Sequence, residues 1–280
     1  MPSWKTFLTR FRRDRYSRRP PLILLNGLAE QEESWYRNVR FWTRYFDVHM
    51  PGLLVYEGGE LQKKIKAGEP IDIDYLVKQI HTYVTQFIQH PPYSFVTSSL
   101  GGKVAIEFAY RYPELVHRLV LICPSGMGDL EKLPIIDGVR RSDYGKMMTS
   151  ILYRPHKADR NLVRYFYRAF ATRAWKLGFI RTVRGTNDFV VRARMSELTM
   201  PVLFVAADQD RIVCPKEGEK AAHELRHGYF VSIPRCGHAP QIEKPRYINR
   251  LAARFLLCSD PSVHPRLAPL SVHQTTQAGS

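Results

Sequence analysis

The chain has 280 residues, enough to bury a large core without a disulfide framework, and its four scattered cysteines lack the paired spacing of a zinc site. It contains no apolar run of about 18 residues and no secretory signal, so the sequence predicts reduced thiols and a cytoplasmic location. The formal net charge of +16 favours anionic partners, but no nucleic-acid-binding signature accompanies it, so we expect no specific nucleic-acid partner.

The first 20 residues are basic and carry apolar side chains at helical spacing. Trp4, Phe7, Leu8 and Phe11 would share one face of a helix. Such a segment can lie on an anionic membrane surface, and it also has features of an organelle transit peptide. The alternative is a terminal helix packed on the surface of the protein itself. We therefore treat residues 1–20 as a separate segment and a candidate for peripheral membrane contact.

From Pro21 onward, short apolar strands alternate with amphipathic helices. Strands are predicted at residues 22–26, 45–50, 93–96, 119–123, 202–206 and 229–233, and helices at 72–89, 103–111, 216–225 and 246–257. Strands separated by helices favour right-handed crossovers and a mostly parallel sheet covered on both faces. The sequence therefore predicts an α/β fold with a sheet of about six strands.

The alternation stops between residues 125 and 198. This stretch is rich in Arg, Tyr and Phe, includes a helical pattern over residues 159–175, and lacks a buried strand. We expect a helical lid there, inserted into a core made of residues 21–124 and 199–258. Residues 259–280 are rich in Pro, Ser, His and Gln, a composition that predicts a disordered tail.

The strongest chemical signal is a serine in a strand-to-helix turn. Ser99 lies in the run Val-Thr-Ser-Ser-Leu-Gly-Gly, between a predicted strand and a predicted helix. Such a turn projects a hydroxyl beyond the carboxyl ends of the strands, where ligands bind in open α/β sheets. The tight backbone needs a small residue two positions after the serine, and Gly101 is there. We predict Ser99 as a nucleophile and the backbone N–H of Leu100 as a donor to an oxyanion.

With this turn, the chain resembles the α/β-hydrolase superfamily, in its lidded serine-hydrolase branch, from about Leu22 to Leu257. The order of catalytic residues in that family is nucleophile, acid, histidine. The resemblance implies Asp210 as the acid, at the end of Ala-Ala-Asp-Gln-Asp, with Asp208 as its rival. It implies His238, in Cys-Gly-His-Ala-Pro, as the general base.

The resemblance also implies a second oxyanion donor, the backbone N–H of Leu28, which follows the glycine after the first strand. This chain differs from the family pattern at two places near the site. Asn26 stands where the family commonly has His, and Thr97 stands where the nucleophile turn usually has Gly. The chain also lacks the family's first antiparallel hairpin, which is why we expect only about six strands.

A serine, an aspartate and a histidine in this chain order point to acyl transfer. An isolated serine hydroxyl is a poor nucleophile, so an imidazole must take its proton and a carboxylate must orient the imidazole. The resemblance implies hydrolysis of a carboxylic ester, or a related acyl bond, through an acyl-enzyme. The expected partner is a small acyl substrate, and no metal or organic cofactor is implied.

Two other functions are kept as alternatives. The run Cys-Pro-Ser-Gly-Met-Gly from Cys123 is similar to that of hydrolases that cleave carbon–carbon bonds in ring-fission products, but Ala239 stands where those enzymes have an aromatic residue. A non-catalytic binding protein of the same fold would usually lack a triad member, and here none is missing. Arg192 and Arg194 are candidates for binding an anionic substrate group, with exposed helix charges as the alternative.

Overall fold

The chain forms one parallel sheet flanked by helices. The computed structural model describes residues 19–28, 30, 32–53, 59–128, 134–141, 143–157 and 159–261. The predicted amphipathic face at the N-terminus and nearly all of the predicted tail lie outside these residues. Among the described residues, no helix is both long and apolar enough to cross a membrane.

Six strands form the sheet in the order β2-β1-β3-β4-β5-β6, and every neighbouring pair is parallel. The strands are β1 (Pro21–Leu25), β2 (Asp47–His49), β3 (Tyr93–Ser98), β4 (Val116–Ile122), β5 (Val202–Ala207) and β6 (Gly228–Ile233). The prediction of about six parallel strands is confirmed. The strand order reverses between β1 and β3, and such a reversal opens a crevice at the carboxyl ends of the strands.

Helices cover both faces of the sheet. They are α1 (Tyr36–Trp42), α2 (Gly59–Lys66), α3 (Ile73–Phe87), α4 (Leu100–Arg111), α5 (Pro134–Arg141), α6 (Tyr144–Ile151), α7 (Arg160–Ala171), α8 (Arg173–Thr186), α9 (Pro215–Ala222), α10 (Pro240–Glu243) and α11 (Pro245–Leu257). Successive residues of β1 alternate between two hydrophobic cores, one on each face. Ile23 and Leu25 pack with α3 and α4, whereas Leu22 and Leu24 pack with α1 and α11.

Between β4 and β5 the described residues form helices α5 to α8 and no strand. The helix predicted over residues 159–175 is not continuous, because one helix ends at Ala171 and the next begins at Arg173. The hydroxyl of Thr172 accepts a hydrogen bond from the N–H of Trp175 at 3.2 Å and so caps the start of α8. The region therefore contains two consecutive helices, α7 and α8, in place of one.

Candidate active site

Ser99 sits in a strained backbone conformation at the junction of β3 and α4. Its φ of 50° and ψ of −118° lie in a region that residues with a side chain rarely adopt. The neighbouring backbone fixes this conformation. The N–H of Ser99 donates to the carbonyl of Ile122 at 3.0 Å, and its carbonyl accepts from the N–H groups of Gly102 at 2.9 Å and Ser125 at 3.1 Å. The strain persists because these bonds hold the turn from both sides.

Two glycines let the backbone come close to this turn. A Cβ atom added to Gly101 would lie 2.5 Å from the carbonyl oxygen of Leu25, so α4 could not approach β1 with a larger residue there. A Cβ added to Gly27 would lie 2.9 Å from Cβ of Ser99. Thr97 is accommodated at the end of β3, where its hydroxyl donates to the carbonyl of Val120 on β4 at 3.2 Å.

The structure brings Asp210 and His238 together at the carboxyl ends of the strands. Asp210 follows β5 and His238 lies in the loop after β6, and Nδ1 of the histidine is 2.8 Å from Oδ2 of the aspartate. The other carboxylate oxygen, Oδ1, accepts from the N–H groups of Ile212 at 2.8 Å and Val213 at 3.0 Å. The rival acid, Asp208, is exposed, and its carboxylate accepts a long 3.4 Å bond from the N–H of Cys236.

The electrostatics of this pair favour a charged aspartate. Burial raises the pKa of Asp210, but the charge of His238 and the hydrogen bonds from the histidine and from two backbone N–H groups outweigh it, so the pKa lies below its ordinary value. An ionised carboxylate can only accept, so Nδ1 of His238 carries a proton. In the neutral imidazole, Nε2 is then free of hydrogen and can accept a proton.

One cavity contains the predicted site residues that approach a substrate. Its wall includes Ser99, His238, Leu28 and Leu100. Among the described residues, the backbone N–H groups of Leu28 and Leu100 donate to no acceptor, so both are available at the cavity wall. A mostly apolar pocket with a few polar groups is typical of sites for small ligands.

Glu30 is a buried acid in the same wall that the sequence analysis missed. Its carboxylate accepts from the N–H of Gly27 at 3.2 Å, the hydroxyl of Ser98 at 2.9 Å and the side-chain amide of Gln241 at 2.8 Å. It therefore ties together the loop after β1, the serine turn and the histidine loop. Burial raises the pKa of Glu30, although its three donors and the charge of His238 act in the opposite direction.

The histidine loop is anchored by Glu243, whose carboxylate accepts from the N–H groups of Gly237 at 2.7 Å and Tyr153 at 3.1 Å. A Cβ added to Gly237 would lie 2.6 Å from the carbonyl oxygen of Ile151. Gly237 is thus needed so that the loop before His238 can pack closely against the end of α6.

Cys123 completes a cluster with the acid and the base. Its Sγ, a carboxylate oxygen of Asp210 and a ring nitrogen of His238 lie within 4.8 Å of one another. The described part of the chain contains no other cluster of three or more side chains that could bind a metal ion together. Burial and the neighbouring charge of Asp210 raise the pKa of the Cys123 thiol well above its ordinary value. The thiol therefore favours its protonated form, whereas metal binding requires a thiolate.

Arg192 and Arg194 do not line the cavity. Arg192 forms ion pairs with Glu217 and Glu224 at 2.9 and 2.7 Å, and Arg194 contacts Glu107 at 3.3 Å. Both arginines therefore pair with acidic side chains of the protein. This arrangement agrees with the alternative in which they are exposed helix charges and do not bind the substrate.

Comparisons with known proteins cover most of the chain. The family model of the alpha/beta hydrolase fold matches residues 20–245. The chain is 23% identical over 272 residues to monoacylglycerol lipase ABHD6 of Bos taurus, a match that covers 87% of this chain and 77% of that relative. The Homo sapiens protein of the same name is also 23% identical, over 268 residues, with the same coverage of both chains.

Solved structures show the same architecture. A bacterial membrane phospholipase A is 21% identical, with a TM-score of 0.73, covering 86% of this chain and 79% of the other. Carboxylesterase CesB of Bacillus subtilis is 17% identical, also with a TM-score of 0.73, covering 86% of this chain and 85% of the other. At these identities the likeness bears on the fold alone.

Proposed function

The chain belongs to the α/β-hydrolase fold family, and from this we propose that it is a serine hydrolase that cleaves a carboxylic ester through Ser99, His238 and Asp210. The observation that carries the proposal is the buried His238–Asp210 pair, 2.8 Å apart, in the wall of the cavity that also contains Ser99. A histidine held in this way has its second ring nitrogen available as a base.

In the proposed reaction, Oγ of Ser99 attacks the ester carbonyl while Nε2 of His238 accepts the hydroxyl proton. The N–H groups of Leu28 and Leu100 donate to the oxyanion of the tetrahedral intermediate. His238 returns the proton to the leaving alcohol, and the bond between carbonyl carbon and alcohol oxygen breaks to leave an acyl-serine. Water, activated by the same histidine, then releases the carboxylic acid. Asp210 stabilises the imidazolium in both halves of the reaction.

Similarity to a protein named as a monoacylglycerol lipase supports an ester as the substrate. We propose that helices α5 to α8 act as a lid over the cavity, because Ile151, Val183, Thr186 and Asn187 from this region contribute to its wall. The lid would then determine which acyl and alcohol groups fit.

Fluorophosphonate labelling of the full chain tests the proposal. We expect the wild type to be labelled and to hydrolyse p-nitrophenyl esters, and Ser99→Ala to do neither, with kcat reduced by about 10⁴-fold to 10⁶-fold. Asp210→Asn should reduce kcat by roughly 10⁴-fold, because the histidine takes the wrong tautomer. Ser150→Ala is the matched control, because Ser150 is as buried as Ser99, each 8% exposed, but lies outside the cavity wall.

Two outcomes would contradict this function. Folded wild-type protein that takes no label would favour the non-catalytic binding alternative, and label that persists in Ser99→Ala would place the nucleophile elsewhere. The circular dichroism spectrum of each variant establishes that it is folded.

We also propose peripheral membrane contact through residues 1–20, on the basis of their basic and amphipathic sequence. Co-sedimentation with anionic liposomes, with and without this segment, tests it. Equal binding of both forms would show that the segment plays no part.

A further inference from the structure

Two neighbouring helices, α1 and α11, present arginines to solvent. In and just after α1 the arginines recur at spacings of three and four residues, and on α11 at spacings of four, so each set shares one helix face. Neither helix contains an acidic residue. These exposed side chains, which we call the arginine face, are Arg37, Arg40, Arg44, Arg246, Arg250 and Arg254. Within the described residues, Arg37 is the one member that forms an ion pair, with Asp159 at 3.3 Å.

The arginine face is a single surface, because the two helices pack side by side on the same face of the sheet. Val39 of α1 and Ile248 of α11 belong to the same hydrophobic core. Asn249 joins the helices, since its Oδ1 accepts from Nδ2 of Asn38 at 2.7 Å and its Nδ2 donates to the carbonyl of Arg37 at 3.1 Å. The opposite faces of both helices, which carry the arginines, therefore point away from the sheet on the same side of the molecule.

Exposed apolar and aromatic side chains lie beside these arginines. Leu257 is 48% exposed and follows Arg254 by three residues, so it lies on the arginine side of α11. Tyr247 and Tyr45, each next to an arginine of this face, are 45% and 43% exposed. The surface therefore combines positive charge with apolar and aromatic groups, as surfaces that lie on membranes do.

A recess between α1 and the start of α11 lies within this surface. Its wall includes Arg40 and Arg246, together with two acids that accept hydrogen bonds from the protein. Asp159 accepts from the hydroxyl of Tyr36 at 2.6 Å, and Glu243 accepts from backbone N–H groups of the histidine loop and of the end of the helical region. Guanidinium groups in such a recess suit the phosphate of a lipid headgroup.

We propose that the arginine face binds an anionic lipid bilayer. This inference does not depend on ester hydrolysis, and it adds a surface of the folded domain to residues 1–20 as a membrane contact. The two are continuous, because the guanidinium of Arg19 donates to the carbonyl of Thr43, the residue that follows α1. A bilayer fits this surface better than a nucleic acid does, because an exposed leucine gains from burial among acyl chains and not from contact with a phosphate backbone.

Co-sedimentation of the full chain with vesicles tests the proposal. Wild type should bind vesicles of phosphatidylcholine and phosphatidylserine more strongly than vesicles of phosphatidylcholine alone, and the binding should weaken with rising sodium chloride. The triple variant Arg40→Gln, Arg250→Gln and Arg254→Gln should bind the anionic vesicles about a hundredfold more weakly, or roughly fivefold for each charge removed. No preference of the wild type for anionic vesicles would overturn the proposal.

The matched control removes the same charge elsewhere, in the triple variant Lys66→Gln, Lys78→Gln and Lys216→Gln. These lysines are exposed, and their helices, α2, α3 and α9, pack against the other face of the sheet. The control should lose less than about threefold, because charges remote from the bilayer are screened. Equal losses in the two triple variants would mean that net charge and not the arginine face decides, and would overturn the proposal.

Leu257→Gln separates a bilayer from a nucleic acid, and it keeps the test decisive if the triple variant does not fold. It retains every charge and should weaken binding to anionic vesicles by roughly threefold. Its binding to a single-stranded oligonucleotide, measured by fluorescence anisotropy, should equal that of the wild type. Vesicle binding unchanged in Leu257→Gln, or an arginine face that binds the oligonucleotide and not the vesicles, would overturn the proposal.

Discussion

The core loops that carry Ser99, Asp210 and His238 are held differently from the helices between β4 and β5. The serine turn is fixed by backbone-to-backbone bonds to neighbouring core segments, as between Ser99 and Ile122. The helical region is joined to the core mostly through bonds in which one partner is a side chain, such as Tyr36 to Asp159 and Arg211 to the carbonyl of Thr149. Backbone bonds between sheet segments resist displacement more than single side-chain links do.

One cavity can therefore be both precise and adaptable. The groups proposed to react need positions fixed to a fraction of an ångström, and they lie on the rigid side. The groups proposed to select a substrate come partly from the region with the weaker attachments. Three predictions test this division.

The largest expected effect comes from a pair of glycines, one in each region. In Gly101→Ala the new methyl group would meet backbone, 2.5 Å from the carbonyl oxygen of Leu25, so β1 and α4 must separate. We expect a loss of about 1–3 kcal/mol in the free energy of unfolding and roughly a hundredfold loss in kcat/KM. Denaturant unfolding and ester hydrolysis measure the two quantities.

Gly138→Ala, in the helical region, is the matched change. Its new methyl group would meet Cγ of Met147 at 2.4 Å, the carbonyl oxygen of Asp143 at 3.1 Å and the backbone nitrogen of Met147 at 3.3 Å. We expect a loss of about 1–3 kcal/mol in the free energy of unfolding, with kcat/KM for a small ester close to that of the wild type, because the clash lies within the helical region. Equal losses of activity in both variants would contradict the division between the two regions.

A smaller, pH-dependent effect is expected for Glu30→Gln. Because the folded pKa of Glu30 is raised above its ordinary value of 4.5, the folded protein holds that proton more tightly than the unfolded chain. The stability that this proton contributes is present below about pH 4.5 and is lost as the pH rises through the folded pKa. The advantage in unfolding free energy of wild type over Glu30→Gln should therefore shrink as the pH rises from 4.5.

Urea unfolding of both proteins between about pH 4 and pH 8 measures this difference, with Glu114→Gln as an exposed control. At every pH the variant also places an amide N–H₂ among the three donors around position 30, which costs about 1–3 kcal/mol. A wild-type advantage that stays constant over this range would contradict the assigned shift.

The smallest effect is expected for Tyr36→Phe. This change removes the hydroxyl that donates to Oδ2 of Asp159 at 2.6 Å, one of the links between α1 and the helical region. The free energy of unfolding should fall by about 0.5–1.5 kcal/mol, while hydrolysis of a small ester should stay close to that of the wild type. Tyr247→Phe, at an exposed tyrosine, is the control. A large loss of activity in Tyr36→Phe alone would mean that the region affects the reacting groups directly.

The fold was predictable because the apolar pattern of the strands is strong. The predicted α/β-hydrolase fold is confirmed, and most strands begin and end within a few residues of the predicted positions. The edge strand β2 is shorter than predicted, with three residues that pair with β1. Helix α4 begins at Leu100 and not at the predicted Lys103, because the strained conformation of Ser99 joins strand and helix without an intervening loop.

The site was predictable only where a motif marks it. Ser99, Asp210 and His238 stand in recognisable local sequences, and their roles stay predictions. Glu30 and Lys103, both buried in the cavity wall, carry no such mark, because charged residues usually face solvent and a single sequence does not reveal which ones are buried. Their positions depend on contacts between distant segments, such as that of Lys103 with Thr186, 83 residues apart. Only the folded chain brings these groups into one cavity.

The left-handed backbone at Ser99 sets two selective pressures against each other. Glycine would adopt this conformation freely, whereas a serine there costs of the order of 1–3 kcal/mol. Selection for thermal stability alone would replace the residue, whereas selection for the proposed ester hydrolysis would keep it. Directed evolution for heat resistance that is not coupled to an activity screen should therefore accumulate glycine variants at this position, which would lack the proposed nucleophile.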